Sequence, residues 1–180
     1  MTKKRKTNSV TNLKSALIDL LLEMEYSKIT IGNITQRANV SRGTFYQHFL
    51  DKDDLAYSIG TETMQRFWEI LAQGNLDKED MLLKALLLIK NDYKHFKAIS
   101  KAPHVQFKDK VQQLICDLIN NNPAIREKIK KKTKISDEIV IKAFSTSFET
   151  IISSWIDNDL SESPEKVVGN IIKIEQLFWK

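Results

Sequence analysis

The stretch VSRGTFYQHF, residues 40–49, constrains this chain more than any other. Val40, Phe45 and Phe49 are spaced to bury one side of a short helix, leaving Ser41, Arg42, Thr44, Tyr46, Gln47 and His48 on the other. Ser41 suits the cap of that helix, since its hydroxyl can accept from a first-turn N–H. Just upstream, ITIGNITQRA reads as a supporting helix that Thr30 caps and that buries Ile31 and Ile34. Asn39 takes the turn between the two, where a left-handed backbone is expected and Asn tolerates it. A helix, a tight turn and a second helix with a polar outer row make a helix-turn-helix, whose second helix enters the DNA major groove.

The rest of the chain is predicted to be helical almost throughout, giving an all-α fold. Five Gly and three Pro are too few for the turn-dense punctuation of an all-β protein. A first helix over 10–24 aligns Leu13, Ala16, Leu17, Leu20, Leu21 and Met24 on one stripe. Asp51 and Asp54 form a carboxylate variant of the capping box for a helix running to Gln73 and stopping at Gly74. Asp77 and Asp80 repeat the signal for a helix over 78–90, and a shorter one follows over 92–101. Another presents Val111, Leu114, Ile115 and Leu118 and ends before Pro123. Arg126 to Lys134 reads as a short helix and a solvated connector.

The two last helices, 136–157 and one starting at Ser163-Pro164-Glu165, are the most apolar. Their stripes exceed what one neighbouring helix can cover. A two-fold bundle between subunits is therefore expected, with Ile141, Phe144, Phe148, Ile152, Trp155, Val168, Ile171 and Phe178 at the dimer interface. The other reading is that the preceding helices cover them within one chain.

Charge is placed unevenly. Residues 1–52 hold nine Lys/Arg against four Asp/Glu, and residues 53–180 hold nineteen of each, so the whole net charge of +5 sits at the N-terminal end. That placement favours a polyanionic partner there. Lys3 to Lys6 read either as an arm along the DNA backbone or minor groove or as a disordered tail. One cysteine, Cys116, excludes a disulfide framework and a Cys-rich zinc site, and no metal or cofactor is expected. Asp19 and Glu23 interrupt the apolar run after the basic start, and the run at 81–89 is too short to span a bilayer. A cytoplasmic, soluble protein with no membrane partner is expected.

Residues 13–55 resemble the DNA-binding domain of the TetR/AcrR family of bacterial transcriptional regulators. The residues that carry the resemblance are Thr30, Ala38-Asn39-Val40-Ser41, Gly43-Thr44-Phe45-Tyr46-Gln47-His48-Phe49 and Asp51-Lys52-Asp53-Asp54-Leu55. Asn39 stands where the family has a turn glycine, and Glu25 where a glycine often ends the first helix. Trp155 to Leu160 with Ser163-Pro164-Glu165 is similar to the junction of the family's dimerisation helices, and residues 75–135 are similar only in being helical. The resemblance implies a helix-turn-helix domain over 1–54 and a helical effector-binding and dimerisation domain over 55–180. It implies a homodimeric repressor on a pseudo-palindromic operator, released by a small-molecule effector. The alternative is an activator or co-regulator whose C-terminal domain binds a protein.

Roles follow from side-chain chemistry. Arg42 can pair bidentately with guanine and Gln47 with adenine, while Thr44 suits a phosphate or a thymine methyl. Gly43 leaves room for close approach. Thr30, Ser41, Tyr46, His48 and Lys52 complete the DNA-facing set, with Thr30, Tyr46, His48 and Lys52 at positions that resemble the family's phosphate clamps. Phe67, Trp68, Tyr93, Phe96, His104, Phe107 and Phe148 are candidates to line an effector pocket, though aromatics at helical spacing also serve as plain core. An enzyme is not expected: no glycine-rich phosphate loop, HExxH or GxSxG is present.

Overall fold

The computed structural model describes residues 2–71, 78–123, 126–127 and 135–179. Nine α-helices are seen among them and no strand: α1 (Thr2–Glu23), α2 (Ile31–Arg37), α3 (Arg42–Tyr46), α4 (Lys52–Leu71), α5 (Lys78–Asn91), α6 (Tyr93–Ser100), α7 (Phe107–Asn120), α8 (Asp137–Asp157) and α9 (Pro164–Trp179). Short 3-10 turns occupy Tyr26–Lys28 and Pro103–Val105. None of the described helices is long and apolar enough to cross a membrane. The expected ends at Gln73, Gly74 and Asp77, and most of the basic connector, lie outside the described residues.

The chain divides into two compact units, residues 1–65 with 92–107 and residues 66–91 with 108–180. In the first, α1 packs on α2 and buries Leu13, Ala16, Leu17, Leu20 and Leu21, and the same unit buries Ile34 of α2, Phe45 of α3, and Leu55 and Ile59 of α4. The expected stripe is all there, except that Met24 is only half-buried. Helix α6 packs on α1 and adds Phe96 and Ile99, with Phe107 against Phe96 in an edge-to-face contact. Each such side chain removed from water contributes about 1.5–3 kcal/mol. Helix α1 begins eight residues before the expected start, so Lys3 to Lys6 ride on helical backbone and not on an extended arm or a tail.

Caps place the ends of the short helices. The Thr30 hydroxyl accepts from the Asn33 N–H (3.1 Å) while Asn33 Oδ1 accepts from the Thr30 N–H (2.9 Å), a reciprocal box closed by Asn. Ser41 Oγ accepts from the Thr44 N–H at 3.0 Å. Asn39 has φ 52, as the turn reading required. At α4 the box is shifted: Asp51 accepts from the N–H groups of Asp53 and Asp54, but Asp54 reaches back to the Leu50 N–H at 3.0 Å.

In the second unit, α9 packs on α5 and α8. Helix α7 joins α8 through Gln112 Nε2 donating to Thr146 Oγ1 (2.6 Å) and Cys116 Sγ donating to Ser145 Oγ (3.1 Å). Helix α8 stops with Asp159 and Leu160 in the left-handed region and the Leu160 N–H donating back to Trp155 O at 2.9 Å. Trp155 Nε1 donates to Glu162 O (2.9 Å), so the loop covers the indole.

Candidate nucleic-acid interface

Helix α3 is five residues long, so two anchors must hold it. Phe45 is fully buried and Phe49 nearly so; Val40 is half-buried. Phe49 continues the helical hydrogen bonding through its N–H to Phe45 O at 3.0 Å. With those side chains inward, Ser41, Arg42, Gly43, Tyr46 and Gln47 are exposed and Thr44 and His48 half-buried, on the side the pattern called for. The Tyr46 ring stands edge-on to Phe45. The Ser41 and Thr44 hydroxyls lie 2.9 Å apart, so the cap also orients the Thr44 side chain. A Cβ added at Gly43 would meet only Ser41 Oγ at 3.6 Å, an ordinary contact. Nothing in the protein itself therefore requires glycine at that position.

Gly32 is a neighbour that sequence reasoning did not single out. A Cβ there would stand 3.1 Å from Arg42 Nη2 and 3.5 Å from Thr30 Oγ1. The guanidinium of Arg42 thus lies across the first turn of α2, beside Thr30, in the space the missing side chain leaves. The only sequence signal was a glycine two residues after a capping threonine.

Lys52 takes a different place from the one expected. Its ammonium donates to Tyr26 O and Ile29 O, both at 2.9 Å, and sits 4.2 Å from the centre of the Tyr26 ring. It braces the 3-10 turn between α1 and α2 and is half-buried there. The Tyr26 hydroxyl donates to Asp53; burial, that bond and the charges of Asp53 and Asp51 push the phenol well above its usual range. His104, expected in an effector pocket, is exposed in this same unit, 3.6 Å from Asp53 and with its ring on Tyr26.

The other expected pocket residues separate. Phe96 and Phe107 are core of the first unit, Tyr93 is half-buried in that unit, and Trp68 is half-buried in the second. Phe67 and Phe148 do line a cavity of about 140 Å³ in the second unit, with Leu82, Val111, Leu114 and Phe144 among its walls. The aliphatic walls among these, Leu82, Val111 and Leu114, were missed because in sequence they read as ordinary core.

The expected dimer residues need a similar correction. Ile141, Phe144, Ile152, Trp155, Val168 and Ile171 are buried inside one chain, covered by α5, α7 and α9. Phe148 is half-buried at the cavity, and the Phe178 side chain lies outside the described residues. Along α8, Ala143, Thr150 and Ser154 are exposed with Ser147 and Ile151 half-covered beside them, an uncharged strip flanked by the exposed Lys142 and Asp157. Among the described residues no group of His, Cys, Asp and Glu is arranged to hold a metal ion.

Comparison with known proteins agrees in both halves of the chain. A family model described as bacterial regulatory proteins, tetR family, matches residues 15–59. One described as transcriptional regulator C-terminal region matches residues 77–176. The fatty acid metabolism regulator protein of Bacillus subtilis (strain 168) is 21% identical over 174 residues, covering 87% of this chain and 88% of that protein. A TetR transcriptional regulator from Streptococcus agalactiae shares the fold with a TM-score of 0.70 at 20% identity, over 95% of each chain. The dihydroxyacetone kinase operon activator DhaS does so with a TM-score of 0.62 at 20% identity, over 95% of this chain and 96% of that one.

Proposed function

The chain belongs to the TetR family of bacterial transcriptional regulators, and we propose that it acts in the cytoplasm as a homodimeric repressor on a pseudo-palindromic operator. Residues 1–54 form the DNA-binding module and residues 55–180 the part that dimerises and senses an effector. One observation carries the reading: the row from Ser41 to Gln47 faces outward on a helix that Phe45 and Phe49 anchor from beneath. Arg42 and Gln47 read base edges, and Gly43 lets the backbone approach. Thr44, Tyr46 and His48 grip phosphates with Ser41 and Thr30, and Lys52 supports them by holding the turn under α2.

A dimer places two such helices about 34–36 Å apart in successive major grooves. The uncharged strip of α8, Ala143 to Ser154, is the surface we assign to the second copy, because it can be buried without stranding a charge. Sedimentation of the Ile151→Glu chain tests this: dissociation with an unchanged circular dichroism spectrum is expected, and an unchanged mass would refute the assignment.

The effector reading rests on the apolar cavity bounded by Phe67 and Phe148. A ligand there releases DNA only by binding one of two conformations better than the other. The named relative governs fatty acid metabolism, and one structural relative is an activator. The other reading is an activator or co-regulator whose C-terminal part binds a protein; the second of these relatives favours only the activator half of it. Selection of bound genomic fragments, followed by fluorescence anisotropy on the selected duplex, tests the whole proposal. Saturable binding that far exceeds binding to random duplex is expected; indifference to every duplex at low salt would refute it.

A further inference from the structure

The walls of the second unit's cavity say what kind of molecule fills it, an inference that rests on the effector reading. Leu82 of α5, Leu114 of α7 and Phe144 and Ile152 of α8 line it and keep 7–8% of their surface accessible, whereas Leu13, Phe45, Leu55 and Phe96 in the first unit's core keep 0%. Apolar surface left uncovered in this way gains from any apolar cover. At about 140 Å³ the space is close in size to apolar cavities of about 150 Å³ that take up a benzene ring. Every buried side-chain nitrogen and oxygen among the described residues already has a hydrogen-bond partner. The polar side chains that join α7 to α8, Gln112 with Thr146 and Cys116 with Ser145, are bonded to each other. Glu175 of α9, the one charged residue at the wall, is engaged within its own chain. An ionic or hydrogen-bonding head would therefore give up its water here without a waiting partner, a cost that falls on either sign of charge.

We propose that this cavity takes an uncharged, hydrocarbon-like molecule the size of a single ring with a short side chain, seated among Phe67, Leu114, Phe144 and Phe148 and held by burial and fit alone. Selection is then by volume and polarity. Each carbon that still fits adds about fourfold in affinity. The first that does not fit forces the walls out of their packing.

Isothermal titration calorimetry of the full chain with benzene, toluene, phenol, benzylamine, benzoate and biphenyl separates size from polarity. Toluene is expected to bind about fourfold more tightly than benzene, and about tenfold more tightly than phenol, whose hydroxyl is buried without a partner. Benzylamine and benzoate, of opposite charge, should both give no saturable heat, and biphenyl, too long for the space, should give none either. Glu175→Gln should leave this order unchanged. Leu114→Trp should fill the space and abolish toluene binding, with circular dichroism showing the helices intact; Ala85→Phe, from the α5 wall, does the same should the first variant unfold. Saturable binding of either ion or of biphenyl, phenol as tight as toluene, a changed order in Glu175→Gln, toluene binding that survives in a folded filled variant, or no uptake of toluene would each overturn the inference. Operator anisotropy is read separately. Toluene binding that leaves DNA bound refutes release by an effector but upholds the site; DNA binding by a chain that takes up no toluene overturns the site and leaves the DNA-binding reading standing.

Discussion

Helices α3 and α8 each carry a row of side chains that, in sequence, reads as a face waiting for a partner. In α3 the row is still open: Arg42, Tyr46 and Gln47 are exposed while Phe45 beneath them is fully buried. In α8 the row is already closed, with Phe144, Ile152 and Trp155 buried by their own chain. The difference lies in what each surface costs to cover. A polar row loses hydration on burial and stays out until a partner with matching donors and acceptors arrives. An apolar stripe gains from any cover, and the nearest helices of the same chain supply it. Apolar periodicity therefore reports that a face is buried, but not by whom.

The sharpest way to break this comparison is to truncate both anchors. Phe45→Ala and Phe144→Ala should each destabilise folding by about 3–5 kcal/mol, because each removes a buried aromatic and leaves a void. Urea unfolding followed by circular dichroism measures both. If Phe144→Ala only dissociated a dimer and left the urea midpoint in place, α8's stripe would be an interface after all, and the contrast with α3 would fail.

Arg42→Ala should leave folding unchanged and cost about 1–3 kcal/mol in operator affinity, with relaxed choice at one base pair of each half-site. Anisotropy on matched and substituted duplexes resolves it. An equal loss on random DNA would make Arg42 a phosphate contact. Gly32→Ala sharpens the point, since its methyl would crowd the guanidinium's resting place 3.1 Å away without removing any side chain of the row. A small change in operator affinity at constant stability is expected.

Legibility followed the same divide. The helix-turn-helix could be read closely because its signals are local: Thr30 and Ser41 as caps, Asn39 as the left-handed turn, and Phe45 and Phe49 as anchors lie within twenty residues. The start of α1, the inward turn of Lys52 and the cavity walls were not legible. Lys52 meets Tyr26 and Ile29 across more than twenty residues, and a lysine reaching two main-chain carbonyls leaves no periodic trace. Likewise Leu114 looks the same in sequence whether it lines a space or fills one.

A smaller effect tests the turn itself. Asn39 sits at φ 52, where a Cβ costs about 1–2 kcal/mol and Asn is the better tolerated for its short polar side chain. Asn39→Ala should lower stability by about 1 kcal/mol, read from the urea midpoint, and weaken DNA binding only in proportion. A larger loss of affinity than of stability would mean that Asn39 touches DNA.

The smallest expected effect concerns the brace between α1 and α2, where Arg37 donates to both carboxylate oxygens of Glu23, at 2.8 and 2.6 Å. That hydrogen bonding, against an opposing effect of desolvation and with the Arg37 charge added, holds the Glu23 carboxyl below its usual range. A group whose folded pKa is depressed contributes stability above its unfolded pKa, and loses it as pH falls through the folded value. Glu23→Gln should therefore melt slightly below the parent at neutral pH, and the gap should close in acid as the parent's carboxylate is protonated. Because the pair is exposed, added salt should narrow the gap as well. A deficit that persists unchanged in acid and in high salt would show that packing, and not the ion pair, ties α2 to α1 at this edge.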